Sequence, residues 1–440
     1  MRSWFDTLTD HLSAQIRGHE GFTLYLSGES SEFARLNRGR VRQPGHVQQC
    51  AVTLRLIDNG RHASQTITLS GDPADDRARL DHAVDNLRGF LPHLPADPHL
   101  LVAESVQSSS DAMASALPPA AAMVDDLLKE ADGNDLVGIV ASGTTVRGFA
   151  NHHGQRNWFS RSGFNLDWCL VHDADKAVKA SLAGFTYDRS ALHDEMARAR
   201  SQLATLARPG RTIEPGAYRA WLTPSALSEI FGVLHWGGFG LKSLETGNSP
   251  LRRYWSGEHH LDPRVEVSED IAHGIAPDFQ ADGFRRPART SLFEAGRMTG
   301  AMVSPRSAQE FGRSTNGASN GESPVSLSMA AGDIPVGEEL ARLGTGLYIG
   351  NLWYTNFSDR DACRITGMTR FATFWVEDGE IVAPVNVMRF DETLDGLLGA
   401  GLEGLSAHAA FLPSNMTYGE RSVESNRLPG ALVKAMRFTL

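Results

Sequence analysis

The densest cluster of side chains that could hold a metal is His259-His260 with Glu258 and His273. Zinc needs several ligands brought to one point. Consecutive residues on a strand project to opposite faces, and no histidine pair at helical i,i+4 spacing accompanies these two, so the cluster does not read as a metal site. His152-His153 has the same defect. Asp278, Asp282 and Glu294 surround an apparent turn, but they lack the alternating spacing and terminal acidic residue of a calcium loop. No serine sits in a nucleophile elbow. His235-Trp236 directly precedes Gly237-Gly238-Phe239-Gly240, where three glycines permit close approach of another backbone or a sharp exit. That run has no Gly-Lys-Ser/Thr ending and is not a phosphate loop. Arg370 and Arg389 fall near the open end of a hairpin, either as exposed or structural arginines or as recognition groups for a carboxylate. The residues alone define no self-contained active site.

These side chains need elements to position them, and residues 364–390 are the least ambiguous stretch. Segments 369–375 and 381–387 are rich in β-branched and aromatic residues and flank Glu377-Asp378-Gly379-Glu380, whose Asp-Gly pair predicts a hairpin. Phe371, Thr373 and Trp375 then share one face, and Ala372, Phe374 and Val376 the other. Apolar residues on both faces predict a strand pair in the middle of a covered sheet. Thr223-Pro224 reads as an N-cap followed by proline at the first helical position. Leu227, Ile230, Phe231 and Leu234 recur about once per turn after it, and this helix carries His235 at its end.

The preceding half has weaker signals. A helix is expected over 5–17, then strands at 21–27 and 47–57, with Asn59-Gly60 turning the chain into 62–69. Leu80, Ala83, Val84, Leu87 and Leu91 mark a helix over 75–91, ended by Pro92, Pro95 and Pro98, with 94–110 as a connector. A second unit starts with a helical stripe of Met123, Val124, Leu127, Leu128 and Ala131. Strands follow at 136–141, 146–151 and 156–163, then a helix capped by Asp188 or Ser190 and striped by Leu192, Met196, Ala199, Leu203 and Leu206. Residues 313–323 read as a loop, either flexible surface or the mobile lip of a cleft or subunit contact, and 431–440 as a terminal strand. The expected fold class is α+β, in units 1–110, 111–212 and a β-rich 213–440.

With 440 residues the chain exceeds one ordinary core. Hydrophobic residues at 41% and charged residues at 21% are the balance of a soluble globular protein. A formal charge of -10 disfavours a direct nucleic-acid partner. The cysteines Cys50, Cys169 and Cys363 are few and far apart, as for buried thiols in a reducing compartment. No apolar run approaches the roughly 20 residues of a bilayer span and the first residues lack signal-peptide order, so a cytoplasmic, non-membrane location is expected.

The order of units, the segment 209–218, Phe279-Gln280-Ala281-Asp282-Gly283, and Gly344-Thr345-Gly346-Leu347-Tyr348-Ile349 followed by Thr366-Gly367 and the Asp-Gly hairpin together resemble the TldD/PmbA family. The resemblance spans essentially the whole chain and is strongest over 344–390. It implies a bacterial metallopeptidase system in which a zinc-bearing member pairs with a related non-catalytic member around a chamber for unfolded or leader-like peptides. Its architecture would be an N-terminal α/β region and a large β-rich C-terminal domain.

Catalytic members of that family carry His-Glu, three residues and a second His on a helix, with a later Cys as zinc ligand. His235 matches the first histidine here, but Trp236 stands at the glutamate, Gly240 at the second histidine and Leu352 at the cysteine, with Cys363 eleven residues later. One imidazole cannot hold zinc, and an indole cannot accept a proton as general base. The chain therefore resembles the non-catalytic, PmbA-like (TldE-like) member. Such a member binds no cofactor itself and finds its zinc in a TldD-like catalytic partner, or else pairs with itself. Dimerisation is expected through the third unit, including Trp353, Tyr354 and Phe357. Peptide is expected to pair with the sheet near 346–352, lined by Asn351, Arg370, Ser314 and Glu322. Two alternatives are a divergent zinc peptidase drawing on His259, His260 or His273, with Glu245 or Glu258 as base, and a solitary or homodimeric peptide-binding protein.

Overall fold

The structure, a computed structural model, describes residues 1–173 and 176–439. Its first half runs through α1 (Arg2–Ser13), β1 (Gly21–Asn37), β2 (Arg40–Asp58), β3 (Arg61–Thr68) and α2 (Pro73–Phe90). After the short β4 (Ser109–Met113) the same order recurs in α3 (Ala120–Glu130), β5 (Asp135–Asn151), β6 (Arg156–Asp173), β7 (Lys176–Gly184) and α4 (Arg189–Leu206). β1 pairs antiparallel with β5 from Thr23↔Asn151 to Leu36↔Gly138. The two runs thus share one sheet ordered β3-β2-β1-β5-β6-β4, with β7 also on β6. Segments 1–110 and 111–212, separate in the sequence reading, meet here because β1 and β5 pair across a long chain separation.

Strand alternation assigns each face of this sheet. Phe22, Leu24, Leu26, Val146 and Ala150 pack with α1 and α2, and Leu136, Val140, Leu166 and Trp168 pack with α3 and α4. All are even-numbered, so all four helices cover one face. α1 lies at Arg2–Ser13 rather than 5–17, because its buried stripe ends at Leu12. Of the two caps considered for α4, Asp188 is the one that forms, accepting from Ser190 N, and α2 is capped by Asp72, which accepts from Ala74 N and Asp75 N. Asn59 and Gly60 turn with φ of 49° and 75°.

Residues 216–438 build a second, 13-stranded sheet around the strand Ser425–Phe438. That strand pairs antiparallel with Gly216–Leu222 and Leu402–Pro413, and parallel with Ser326–Met329. The helix Pro224–Leu234 lies against it, burying Ala226, Leu227, Ile230, Phe231, Val233 and Leu234. Thr223 caps this helix, its Oγ1 accepting from Ala226 N at 3.2 Å. The architecture is the expected α+β one, with an N-terminal α/β region and a larger β-rich C-terminal region.

The Asp-Gly hairpin forms between Thr373–Glu377 and Glu380–Pro384, with Asp378 and Gly379 at φ of 50° and 83°. Its first strand starts at Thr373 rather than 369 because Phe371, at φ 65°, breaks the extended run. Its position corrects the sequence reading. Glu380–Pro384 ends the sheet and is an edge strand, not a central one. The apolar residues of the inner strand are covered instead by the first half, since Ala372 and Phe374 join the core of α3, α4 and β6.

The opposite, odd-numbered face of the first sheet meets the second half. Phe279 packs against Phe149 and Phe159. Gly283 is required there, since at φ 85° a Cβ would lie 2.3 Å from Phe149 Cζ. Gln155 Nε2 donates to Gly283 O at 2.8 Å and Arg55 pairs with Asp282. Residues 414–424 cross the same face as a strap. Arg147 Nη2 donates to Glu420 Oε1 at 3.0 Å, and Arg421 reaches the carbonyls of Gly143 and Gly163, each at 3.2 Å. Among the described residues no helix is long and apolar enough to cross a membrane.

Candidate functional site

His235 forms the C-terminal boundary of the helix Pro224–Leu234. Its Nε2 is buried with no hydrogen-bond partner among the described residues, and its ring meets Phe239 edge-on at 6.2 Å. Burial pulls its pKa down to about 4, so the imidazole is neutral. Trp236 points outward and is 55% exposed. Its carbonyl accepts from Arg360 Nη2 at 2.6 Å. The glycines after it serve packing. A Cβ on Gly238 would lie 2.4 Å from Leu234 O, and one on Gly240 would lie 2.9 Å from Glu322 Cβ.

Glu322 fills the space beside Gly240. It is buried, and its carboxylate accepts from Lys242 N at 2.8 Å and Ser304 N at 2.9 Å. The loop 313–323 is therefore anchored at Glu322, and only residues such as Ser314 are exposed. Leu352 is fully buried. Cys363 is buried in the second core, which pushes its thiol up to about 12.

The remaining histidines are dispersed. His260 Nε2 lies 3.3 Å from Arg297 Nη1, His273 pairs with Asp270 at 3.0 Å, and His259 stands beside the Tyr254 ring. Among the described residues no group of three or more His, Cys, Asp or Glu side chains is placed to hold a metal ion.

A different cluster forms where the chain leaves the strand Gly346–Ile349. That strand is paired on both sides, with Gly216–Leu222 and with Thr373–Glu377, so it has no edge for an added peptide. The neighbouring strand Leu352–Asp359 pairs only with Arg364–Thr369 and leaves its other edge unpaired among the described residues. Asn351 and Arg370 come together at its start, Arg370 N facing Asn351 O at 3.5 Å. The Arg370 guanidinium lies over the Trp353 ring at 3.9 Å and 5.6 Å from that of Phe371. Trp353 in turn meets Tyr354 edge-on at 4.8 Å. Cys169 on β6 is raised to about 11 by burial and by Asp167, against the charges of Lys179 and Arg370. Arg389 is used differently, its Nε donating to Thr366 Oγ1 at 3.1 Å.

A sequence profile described as PmbA/TldA metallopeptidase C-terminal domain matches residues 215–440, just over half of the chain. The chain belongs to the TldD/PmbA family. Three solved structures share the fold of this family member along its whole length. A candidate modulator of a DNA gyrase from Thermotoga maritima MSB8 and TldE from Thermococcus kodakarensis each give a TM-score of 0.77 at 14% identity. Both alignments cover 99% of this chain, and 99% and 100% of theirs. A candidate modulator of DNA gyrase from Bacteroides thetaiotaomicron gives 0.76 at 16% identity, covering 99% of this chain and 98% of its own. No curated protein matches the chain by sequence.

Zinc, implied by the family's catalytic pattern, does not fit the residues of this TldD/PmbA-family chain. His235 offers one nitrogen, Gly240 and Leu352 offer no donor atom, and the Glu322 carboxylate is engaged with two backbone N–H groups. His235 was legible from sequence; the occupation of the Gly240 space by Glu322 was not. The stacking of Arg370 on Trp353 was also missed, because the two residues are joined only through strand pairing. The usable signal was the concentration of aromatic residues at 353–357.

Proposed function

We propose that this chain is a non-catalytic structural and peptide-binding subunit of a TldD/PmbA-type metallopeptidase complex in the cytoplasm. A TldD-like relative would supply the zinc and the general base, and unfolded or leader-like peptide would be received between the subunits. The observation that carries the reading is the replacement set itself. At the helix end where a catalytic member places two histidines and a glutamate, this chain has one neutral imidazole, an outward indole and a glycine backed by Glu322. Activated water at neutral pH needs a polarising ion and a base, and neither can be assembled there. Asn351 and Arg370, beside an unpaired strand edge, are the residues we assign to the peptide. A backbone edge suits a peptidase system because every peptide presents the same main-chain groups. Ser314 makes no contact that joins it to them among the described residues, and Glu322 is committed to holding its loop.

The test is elemental analysis of the isolated chain together with cleavage of an unfolded peptide, repeated after mixing with a relative that carries the complete His-Glu motif. The expected result is substoichiometric zinc and no turnover alone, with turnover on mixing. Near-stoichiometric zinc and chelator-sensitive turnover by the isolated chain, abolished in a folded His235→Ala variant, would establish the divergent hydrolase instead.

A further inference from the structure

We propose that Arg370, stacked on Trp353 and flanked by Asn351, anchors the C-terminal carboxylate of a bound peptide. This rests on the peptide-binding reading and specifies which end of the peptide is recognised. Among the described residues the Arg370 side chain makes no hydrogen bond and no ion pair; its guanidinium carbon lies 3.9 Å from the centroid of the Trp353 ring and 5.6 Å from that of Phe371. Arg211 provides the contrast. It also covers an indole, that of Trp375 at 4.6 Å, but its Nη1 donates to Glu377 at 2.9 Å. Arg370 has the stacking without the carboxylate. A guanidinium that lies over an aromatic ring and has no acceptor of its own leaves its N–H groups for the two parallel bonds that a carboxylate accepts.

The backbone supports a built site. Phe371, next to Arg370, has φ 65°, and Tyr354, next to Trp353, has φ 55°. Large aromatic side chains rarely adopt that conformation, and here two of them flank the same stacked pair. The pairing of Leu352–Asp359 with its neighbour slips between Trp353 and Asn356, which turns the aromatic pair out of the regular pleat. Asn351 spends its Oδ1 on Leu352 N at 3.0 Å, and its Nδ2 has no partner among the described residues. Trp353 and Met368, cross-strand partners, are 40% and 39% exposed. Together these give a bidentate cation, an amide donor, an apolar floor and an adjoining strand edge. A peptide's last residue offers the complement: a carboxylate, an apolar side chain and an extended main chain leading away.

The experiment measures binding of the purified chain to a fluorescein-labelled hexapeptide, five alanines followed by phenylalanine, as free acid and as C-terminal amide. The free acid should bind about tenfold or more tighter than the amide. Arg370→Gln should remove that difference by weakening the acid and leaving the amide unchanged, while Arg370→Lys should fall between, since it keeps charge but not the stacked plane. Equal binding of acid and amide by the unaltered chain overturns this proposal and leaves the peptide-binding reading standing. So does an equal loss for both forms in Arg370→Gln, or tight binding of an amidated peptide with an internal glutamate. Absence of binding by either form overturns the peptide-binding reading and this proposal with it.

Discussion

His235 is held neutral by burial, its ring nitrogen having no partner among the described residues, and that condition has a measurable price in acid. Its pKa falls from 6.5 unfolded to about 4 folded. The unfolded chain therefore takes up a proton first as pH drops. The stability contributed by the neutral ring is present above pH 6.5 and is lost as pH falls toward 4, by roughly 3 kcal/mol at most. Urea denaturation of His235→Leu between pH 7 and pH 4 should show a flatter loss of stability than the unaltered chain. At pH 7 the two should lie within about 1 kcal/mol, since Nε2 has no hydrogen bond to lose. A second consequence belongs to Gly240, whose missing side chain makes room for Glu322. Gly240→Ala should cost about 1–3 kcal/mol, because the new Cβ meets Glu322 Cβ rather than a flexible tip. The same substitution should cost less in a Glu322→Gly background, which removes the opposing Cβ, and additive losses in chemical denaturation would contradict the packing account.

The connector after α2 behaves as a staple between the halves of the chain. Asp97 accepts from His62 at 3.1 Å and Arg306 at 2.5 Å, and from His99 N at 2.9 Å. Burial alone would raise its pKa, but these bonds outweigh it and hold the carboxyl at about 2. The contribution is present above the unfolded value of 3.8 and is lost as pH falls through about 2. Asp97→Asn should thus lower stability by about 2 kcal/mol at pH 7, with the gap closing toward pH 2, as read from denaturation midpoints. This staple could not be inferred from sequence, where Pro95 and Pro98 mark only an irregular segment. Elements governed by local chemistry were legible. Asn59-Gly60, Asp378-Gly379 and Thr223-Pro224 each fixed their turn or cap where expected. β1 was read short, and β5 as two strands at 136–141 and 146–151, because their middles carry Glu29, Ser31 and Gly143, which break the apolar alternation. Glu29 and Ser31 are buried, Glu29 accepts from Arg421 N, and Gly143 O accepts from Arg421 Nη1, so these positions answer a distant loop. In the candidate site, the helix that ends at His235 was legible from the Thr223-Pro224 cap and its apolar stripe. The Arg370 cluster depended on a cross-strand register that a local pattern does not encode.

For the whole molecule, the exposed side chains along Leu352–Asp359 and at the end of the buried helix bear on assembly. Tyr354 is 74% exposed, Trp236 55% and Trp353 40%, on or beside an unpaired strand edge. Arg360 ties the two groups together, covering the Phe357 ring at 5.0 Å while donating to Trp236 O. An edge strand carrying large apolar groups is a template for unwanted pairing unless something covers it. The cover we expect is a second subunit, a TldD-like relative in preference and another copy of this chain otherwise, packing on the exposed Tyr354 and Trp236 side chains while the strand edge beside Arg370 stays open to the peptide. Sedimentation of the chain alone and mixed with such a relative, across micromolar concentrations, should show a dimer in at least the mixture. A double variant, Trp236→Lys with Tyr354→Lys, should move that species toward monomer at unchanged thermal stability, because both side chains are largely solvent-facing within one chain. A monomer under every condition, or a dimer indifferent to both lysines, would remove this edge from the assembly and leave its exposed aromatic residues to the peptide alone.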